Sequence, residues 1–362
     1  MKVNELFAQN LLLWNHTQNT RSMPWKNVRD PYRIWLSEIM LQQTRVEQGL
    51  PYYQRFTEKY PEIFFLAEAP DDEVFKLWEG LGYYSRCRNL LFTARYIARE
   101  LNGQFPATYD EIRKLKGVGP YTAAAIASFA YNAPYAVVDG NVYRILARVF
   151  GILTATDSTE GKKQFGTLAQ KLLPQEEPAA YNQAIMDFGA TVCVPKSPDC
   201  PQCVMKDFCF AYQHNLVASL PYKAKKISRR HRYFVFYVLR SGGLTLVGKR
   251  TGKDIWHNLF TFPFTEADTA EAFADGTWVH RQLQAAFPGA VVRGTSKAFA
   301  QQLTHQHIHA KFILADVPQI SNHADATHWQ AIAATSLKQY AYPKILNQFM
   351  QDETVTLTEF FK

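Results

Sequence analysis

Nothing in this sequence is apolar for long enough to cross a membrane. Stretches such as Ala123–Ala130 fall well short of the roughly 18 residues a spanning helix needs, so neither a membrane helix nor a membrane partner is expected. No secretory leader is read either: Lys2 and Glu5 are followed only by the brief Leu11-Leu12-Leu13-Trp14 stretch, without a small-residue cleavage site behind it. The expected compartment is therefore a reducing cytoplasm, at the nucleoid if the cell is bacterial. Cysteine is scarce, five residues in 362, and acid is missing altogether between Phe208 and Lys253. With 47% hydrophobic and 20% charged residues, the composition excludes intrinsic disorder, collagen-like repeats and coiled-coil rods.

At roughly 150 residues per domain the chain holds two or three domains, and it is expected to act as a monomer. Forty basic residues against thirty-two acidic ones leave a net charge of +8, which points to a polyanionic partner. The acid-free stretch carries Lys223, Lys225, Lys226, Arg229, Arg230, Arg232, Arg240, Lys249, Arg250 and Lys253, a cationic belt or else a solvated linker. From Asn4 to about Ala211 apolar positions recur three and four apart, predicting an all-α first domain. Around Ser219–Arg232 the periodicity fails. Tyr233–Leu239 and Leu244–Val247 then read as strands flanking Ser241-Gly242-Gly243, a hairpin that opens a second domain. A helix near Thr277–Ala286 and a strand near Ala310–Ala315 make that domain α+β. The expected boundaries are 1–220 for the first domain, 221–233 for a basic linker and 234–362 for the second.

Four of the five cysteines lie within seventeen residues, as Cys193-x6-Cys200-x2-Cys203-x5-Cys209. A reducing compartment disfavours disulfides, so the thiolates are expected to bind metal. One short spacing and two longer ones suit a cubane iron–sulfur (4Fe-4S) cluster wrapped by the loop 193–209, with zinc as the alternative. Upstream, Thr108-x-x-Glu111 has the form of a capping box, and Lys116-Gly117-Val118-Gly119-Pro120 follows before an Ala-rich helix. Gly117, Val118 and Gly119 would let the backbone turn tightly and aim N–H groups at a nucleic-acid phosphate; the plainer reading is an ordinary connection between helices.

Leu115-Lys116-Gly117-Val118-Gly119, with Asp139 downstream and the four-cysteine loop, resembles the helix-hairpin-helix DNA glycosylases, which are similar in fold to endonuclease III. Within that superfamily the chain is most similar to the adenine DNA glycosylase (MutY) family. The segments that carry this likeness are Ser37-Glu38-Ile39-Met40-Leu41-Gln42-Gln43-Thr44, Gly80-Leu81-Gly82-Tyr83-Tyr84-Ser85-Arg86 and Val138-Asp139-Gly140-Asn141-Val142. The resemblance covers roughly residues 5–220 strongly. It implies a six-helix barrel with a cluster domain, a Nudix-like second domain, and double-stranded DNA containing an adenine mispair as the partner. It also implies a monofunctional glycosylase that releases adenine opposite 8-oxoguanine or guanine in base excision repair.

That chemistry needs a proton on the leaving base and stabilisation of a cationic sugar, so two carboxyls in opposed environments suit it. Glu38 follows Ile34 and precedes Leu41 by one turn each, a flank that favours the protonated form. Asp139 ends the apolar run Ala136-Val137-Val138 ahead of a helix, where the helix N-terminus favours the ionised form. The residues alone leave a surface acid and a simple helix cap equally open; the resemblance implies catalytic roles. It further implies that Tyr121 and Asn141 support Asp139 and the attacking water. Tyr121 occupies the place of a Schiff-base lysine in bifunctional relatives. Trp25, Lys26 and Gln183 would line the adenine pocket, Lys26 standing where arginine is common, and Gln43 and Tyr83 would enter the duplex. Thr44-x-x-Glu47 looks like the cap of the helix after Gln43.

In the second domain, the stretch where Nudix hydrolases bind magnesium offers Arg281-Gln282-Leu283-Gln284 without an acid, so pyrophosphatase chemistry is not expected. Leu303-Thr304-His305 stands where the family reads 8-oxoguanine, implying that Thr304 and His305 contact the lesion. His305, His307 and His309 alternate along a strand, as a metal site or as a solvated face. The competing functions are an endonuclease III-like pyrimidine glycosylase with lyase activity and a non-catalytic iron–sulfur protein that binds damaged DNA.

Overall fold

A computed structural model of the chain describes residues 3–224, 228–320, 329–352 and 360–361. Lys225 and Lys226 of the cationic belt lie outside the described residues. Two compact units emerge, Met1–Glu68 with Asn89–Lys226 and Ala69–Arg88 with Ile227–Lys362.

The first unit is helical. Asp30 caps the helix Pro31–Leu41 by accepting the Tyr32 N–H at 2.9 Å, and Pro31 fits the first turn, where no intrahelical donor is needed. Thr108 caps Tyr109–Lys114 as its capping box predicts, although Glu111 turns its carboxylate to the Thr108 hydroxyl. The Ala-rich helix Pro120–Tyr131 is buried from Thr122 to Ser128, its small side chains letting the helix Pro31–Leu41 pack closely. It ends at Asn132, whose left-handed backbone closes the last turn. Beside it, Gly140–Phe150 packs on Pro178–Thr191 and on the N-terminal helix Val3–Thr17, burying Leu11, Trp14, Ile145, Leu146 and Phe188. Burying each such side chain contributes about 1.5–3 kcal/mol. The helix after Gln43 runs from Val46 to Lys59 with Arg45 at its N-cap and no side-chain cap bond, so the expected Thr44 cap is not used.

The second unit has strands β1 (Arg230–Arg240), β2 (Leu244–Lys249), β3 (Phe260–Thr261), β4 (Phe264–Ala267), β5 (Val291–Thr295), β6 (Phe299–Gln302), β7 (Gln306–Asp316) and β8 (Trp329–Ala333). One sheet runs β4-β1-β7-β5, with β6 also on β7; the other runs β3-β2-β8. The expected β1–β2 hairpin is not formed beyond a bridge between Ser241 and Leu244. Both edges of β1 are taken, antiparallel by β4 and parallel by β7 along its whole length, so β2 joins the other sheet. The helix Gly276–Ala286 covers the first sheet, with Val279 and Leu283 against Val235, Tyr237 and Leu239. It carries no acid, as read from the sequence.

Two boundaries differ from expectation. Strand β1 takes Arg230–Tyr233 out of the linker, and residues 69–88 belong to the second unit. Polar contacts explain the second difference: Lys76 donates to the Tyr340 carbonyl at 2.8 Å, Glu79 accepts the Tyr342 N–H at 2.7 Å, and Arg88 donates to the His257 carbonyl at 2.9 Å.

Candidate active site

Glu38 lies on the buried face of the helix Pro31–Leu41 and is only 7% exposed. Burial pushes its carboxyl up to about 7, a hydrogen bond from Tyr121 opposes the rise, and the nearby Asp139 charge adds to it. A solvated surface acid is thereby excluded. Tyr121 reaches Glu38 because it opens the helix Pro120–Tyr131, whose next residue, Thr122, accepts a bond from Gln42 at 3.1 Å. Tyr121 was expected to serve Asp139; its hydroxyl instead bonds the other carboxyl.

Asp139 is the N-cap of Gly140–Phe150, with Oδ1 accepting the Asn141 and Val142 N–H groups at 2.8 Å each. Its Oδ2 accepts the Asn141 side-chain amide at 2.9 Å. Asn141 is held in turn by Arg144, which donates to its Oδ1 at 2.8 Å and to the Cys193 and Gly189 carbonyls at 2.7 and 2.6 Å. Burial is the largest influence on Asp139 and leaves its pKa above the ordinary value, while the donated bonds and Arg144 pull it down. The helix terminus therefore works against desolvation, a competition the sequence does not display. Gly189 makes this packing possible: a Cβ there would lie 2.5 Å from the Asn141 Cβ.

The hairpin 116–119 has Val118 turned inward, at 7% exposure, with the glycines outside it. Gly117 adopts φ 83°, and a Cβ there would meet Asn89 at 2.8 Å, so glycine is required on both counts. Gly119 caps the helix Pro120–Tyr131 without a side-chain bond.

Of the three expected adenine-pocket residues, two converge on a residue the sequence reading missed. Asp187 has a fully buried side chain that accepts from Arg21 at 2.8 Å, Lys26 at 2.8 Å, Gln183 at 3.2 Å and Asn19 at 2.9 Å. Lys26 also donates to the Arg21 carbonyl at 2.7 Å. Trp25 packs edge-on against Tyr53 instead. Gln43 is exposed with φ 55°, an uncommon backbone state for a residue with a side chain.

The four clustered cysteines line one pocket with Arg148, Val192 and Met205. N–H groups are aimed at the sulfurs: Arg148 donates to Cys193 Sγ at 3.4 Å and the Met205 N–H to Cys203 Sγ at 3.5 Å. Arg148 is 2% exposed and is fixed by bonds to the Val194, Pro195 and Leu220 carbonyls.

In the second unit, the Tyr83 hydroxyl and Thr304 Oγ1 are hydrogen-bonded at 2.6 Å. Tyr83 is 42% exposed and has φ 48°, like Gln43 a left-handed residue with a side chain. His305 is exposed, and its carbonyl accepts the Arg230 N–H at 3.0 Å.

Residues 36–175 match the HhH-GPD superfamily of base excision DNA repair proteins, and residues 234–352 match the NUDIX domain. The structure is similar to a thermostable thymine-DNA glycosylase, at TM-score 0.55 and 30% identity over 59% of this chain and 97% of that one. A non-covalent endonuclease III–DNA complex shares the fold at 22% identity and TM-score 0.51, over 60% of this chain and 99% of that one. The adenine DNA glycosylase of Mus musculus is 44% identical over 57% of this chain and 42% of its own length. That of Buchnera aphidicola subsp. Schizaphis graminum is 36% identical over 71% of this chain and 74% of its own length. With an α-helical repair domain followed by a NUDIX domain, and with these relatives, the chain belongs to the adenine DNA glycosylase family.

Proposed function

We propose that the protein hydrolyses the N-glycosidic bond of adenine mispaired with 8-oxoguanine or guanine in duplex DNA. The observation that carries this reading is the contrast between its two carboxyls: Glu38, buried with a pKa of about 7, and Asp139, held by three donated hydrogen bonds. A protonated Glu38 gives its proton to the departing adenine, whose leaving ability then no longer depends on an anionic base. Asp139, its negative charge supported by those donors, faces the positive charge that develops on the sugar. Tyr121 is a positioning residue for Glu38, and Asn141 for Asp139. With tyrosine at position 121 there is no amine there to form a Schiff base, so water takes the sugar carbon and the product is an abasic site.

The hairpin Gly117-Val118-Gly119 and the helix behind it supply N–H groups for a phosphate. Lys26 and Gln183, fixed by Asp187, present polar groups to an extruded base, and Trp25 supplies an aromatic face. The left-handed backbones of Gln43 and Tyr83 fit residues held in strained positions for insertion into a duplex. Thr304, bonded to Tyr83, and His305 would read the base opposite adenine.

Cys193, Cys200, Cys203 and Cys209 fit a 4Fe-4S cluster better than zinc. Zinc gathers four sulfurs at about 2.3 Å, roughly 3.8 Å from one another. Here no three of them lie within 4.8 Å of one another among the described residues, a wider spacing than zinc holds, and two N–H donors meet sulfurs as any anionic thiolate centre requires. When bound, the cluster cross-links the loop and holds its shape.

Duplexes carrying adenine opposite 8-oxoguanine, adenine opposite guanine, or an oxidised pyrimidine, developed with and without alkali, test the reading. Breaks at adenine only after alkali are expected. Breaks without alkali would place the protein among the lyases, and no breaks at all would leave a binding protein.

A further inference from the structure

We infer that His231, His307 and His309 form a divalent transition-metal site on the second unit, with zinc as the metal that fits best. Strands β1 and β7 pair in parallel with His231 opposite His307 and Tyr233 opposite His309. Alternation along a strand then puts all three imidazoles on one face of the sheet. Each offers a ring nitrogen, and these three atoms lie within 4.8 Å of one another. One pair is closer still, with His231 Nδ1 and His309 Nε2 3.1 Å apart. A tetrahedral zinc with nitrogens at about 2.0–2.1 Å holds them roughly 3.3 Å apart, so small ring rotations complete the set.

The chemistry of the cluster agrees with its geometry. Three imidazoles without a carboxylate or thiolate suit zinc, copper or nickel and not the oxygen-seeking calcium or magnesium. Tyr233 stacks on His309 with centroids 4.9 Å apart and rests against Phe273, fixing that ring from behind. His231 is exposed, so the cluster is reached from solvent. His305, read in the sequence as part of the alternating series, is not a member. The third ligand comes from β1, which only the parallel pairing brings alongside.

The site would clamp the start of β1 to the start of β7. The turn 303–305 joins β6 to β7, with Leu303 donating to the Gln306 carbonyl, and the start of β1 reaches it through the Arg230 N–H, which donates to the His305 carbonyl. A bound metal would therefore brace the turn that carries Thr304.

Equilibrium dialysis of the full-length, iron-loaded protein against micromolar zinc, with zinc and iron both counted, tests the assignment. One zinc per chain is expected, with iron unchanged. His231→Ala combined with His309→Ala should bind none, and His280→Ala, on an exposed histidine of the covering helix, should keep it. The single change His231→Asn, at a surface position that cannot disturb the core, should weaken binding by at least about tenfold. Zinc should also raise the melting temperature of the wild type and leave that of the double variant where it is. Absence of zinc from the wild type, or equal zinc on the double variant, would overturn the site.

Discussion

The hydroxyl of Tyr121 donates a hydrogen bond to the buried carboxyl of Glu38, and that bond partly offsets the rise that burial causes, leaving the pKa at about 7. Tyr121→Phe removes the donor and keeps the ring. The alkaline limb of the single-turnover rate should then move to higher pH, because Glu38 is left with desolvation unopposed. The rate at neutral pH should fall several-fold, the value of one lost hydrogen bond of about 0.5–1.5 kcal/mol. A pH profile of adenine release on one mispair measures both effects.

Glu38 also links stability to pH. Its folded pKa of about 7 lies above the ordinary 4.5, so its contribution is fully present below 4.5 and is lost as pH rises through 7. Glu38→Gln should therefore melt higher than the wild type at pH 8 and show no such advantage at pH 4.5. The difference should be on the order of a few kcal/mol at most. Melting temperatures of both proteins across that range report it.

Gly189→Ala should push Asn141 away from Asp139, since the new Cβ would stand 2.5 Å from the Asn141 Cβ. A tenfold or greater loss of rate is expected, about 1.4 kcal/mol or more of barrier. Gly166→Ala, in the helix Thr159–Leu172 with nothing within 4 Å of its added Cβ, should leave the rate alone and raise stability slightly.

Thr304→Val and Tyr83→Phe each break the 2.6 Å bond between these side chains. If the pair reads the base opposite adenine, each change should reduce the preference for 8-oxoguanine over guanine several-fold. The double variant should lose less than the two single effects combined. Single-turnover rates on both mispairs supply the ratio.

The helix starts that place Glu38 and Asp139 are legible in the sequence because their signals are local. Asp30-Pro31 starts the helix that carries Glu38, and an apolar run ending at Asp139 ahead of Gly140 marks an N-cap. Asp187 left no such signal: it is one acid in an apolar helix, and Arg21, which bonds it, is 166 residues away. The expected β1–β2 hairpin gives way because turn residues announce a reversal but not which strands then pair, and β7 and β4 take both edges of β1. The same parallel pairing sets His231 beside His307, which no spacing in the sequence shows. Helical periodicity over residues 69–88 does not tell which unit they join; Lys76, Glu79 and Arg88 bond into the second.

The central claim is that Glu38 gives up the proton that lets adenine leave. Glu38→Gln keeps the shape and polarity of the side chain but cannot supply the proton, and general acid catalysis is worth about a hundredfold to ten-thousandfold. Single-turnover adenine release from a duplex with adenine opposite 8-oxoguanine, measured alongside the dissociation constant of the same duplex, tests it most directly. The expected result is release slowed by at least a hundredfold with binding unchanged. Release at the wild-type rate would contradict the account.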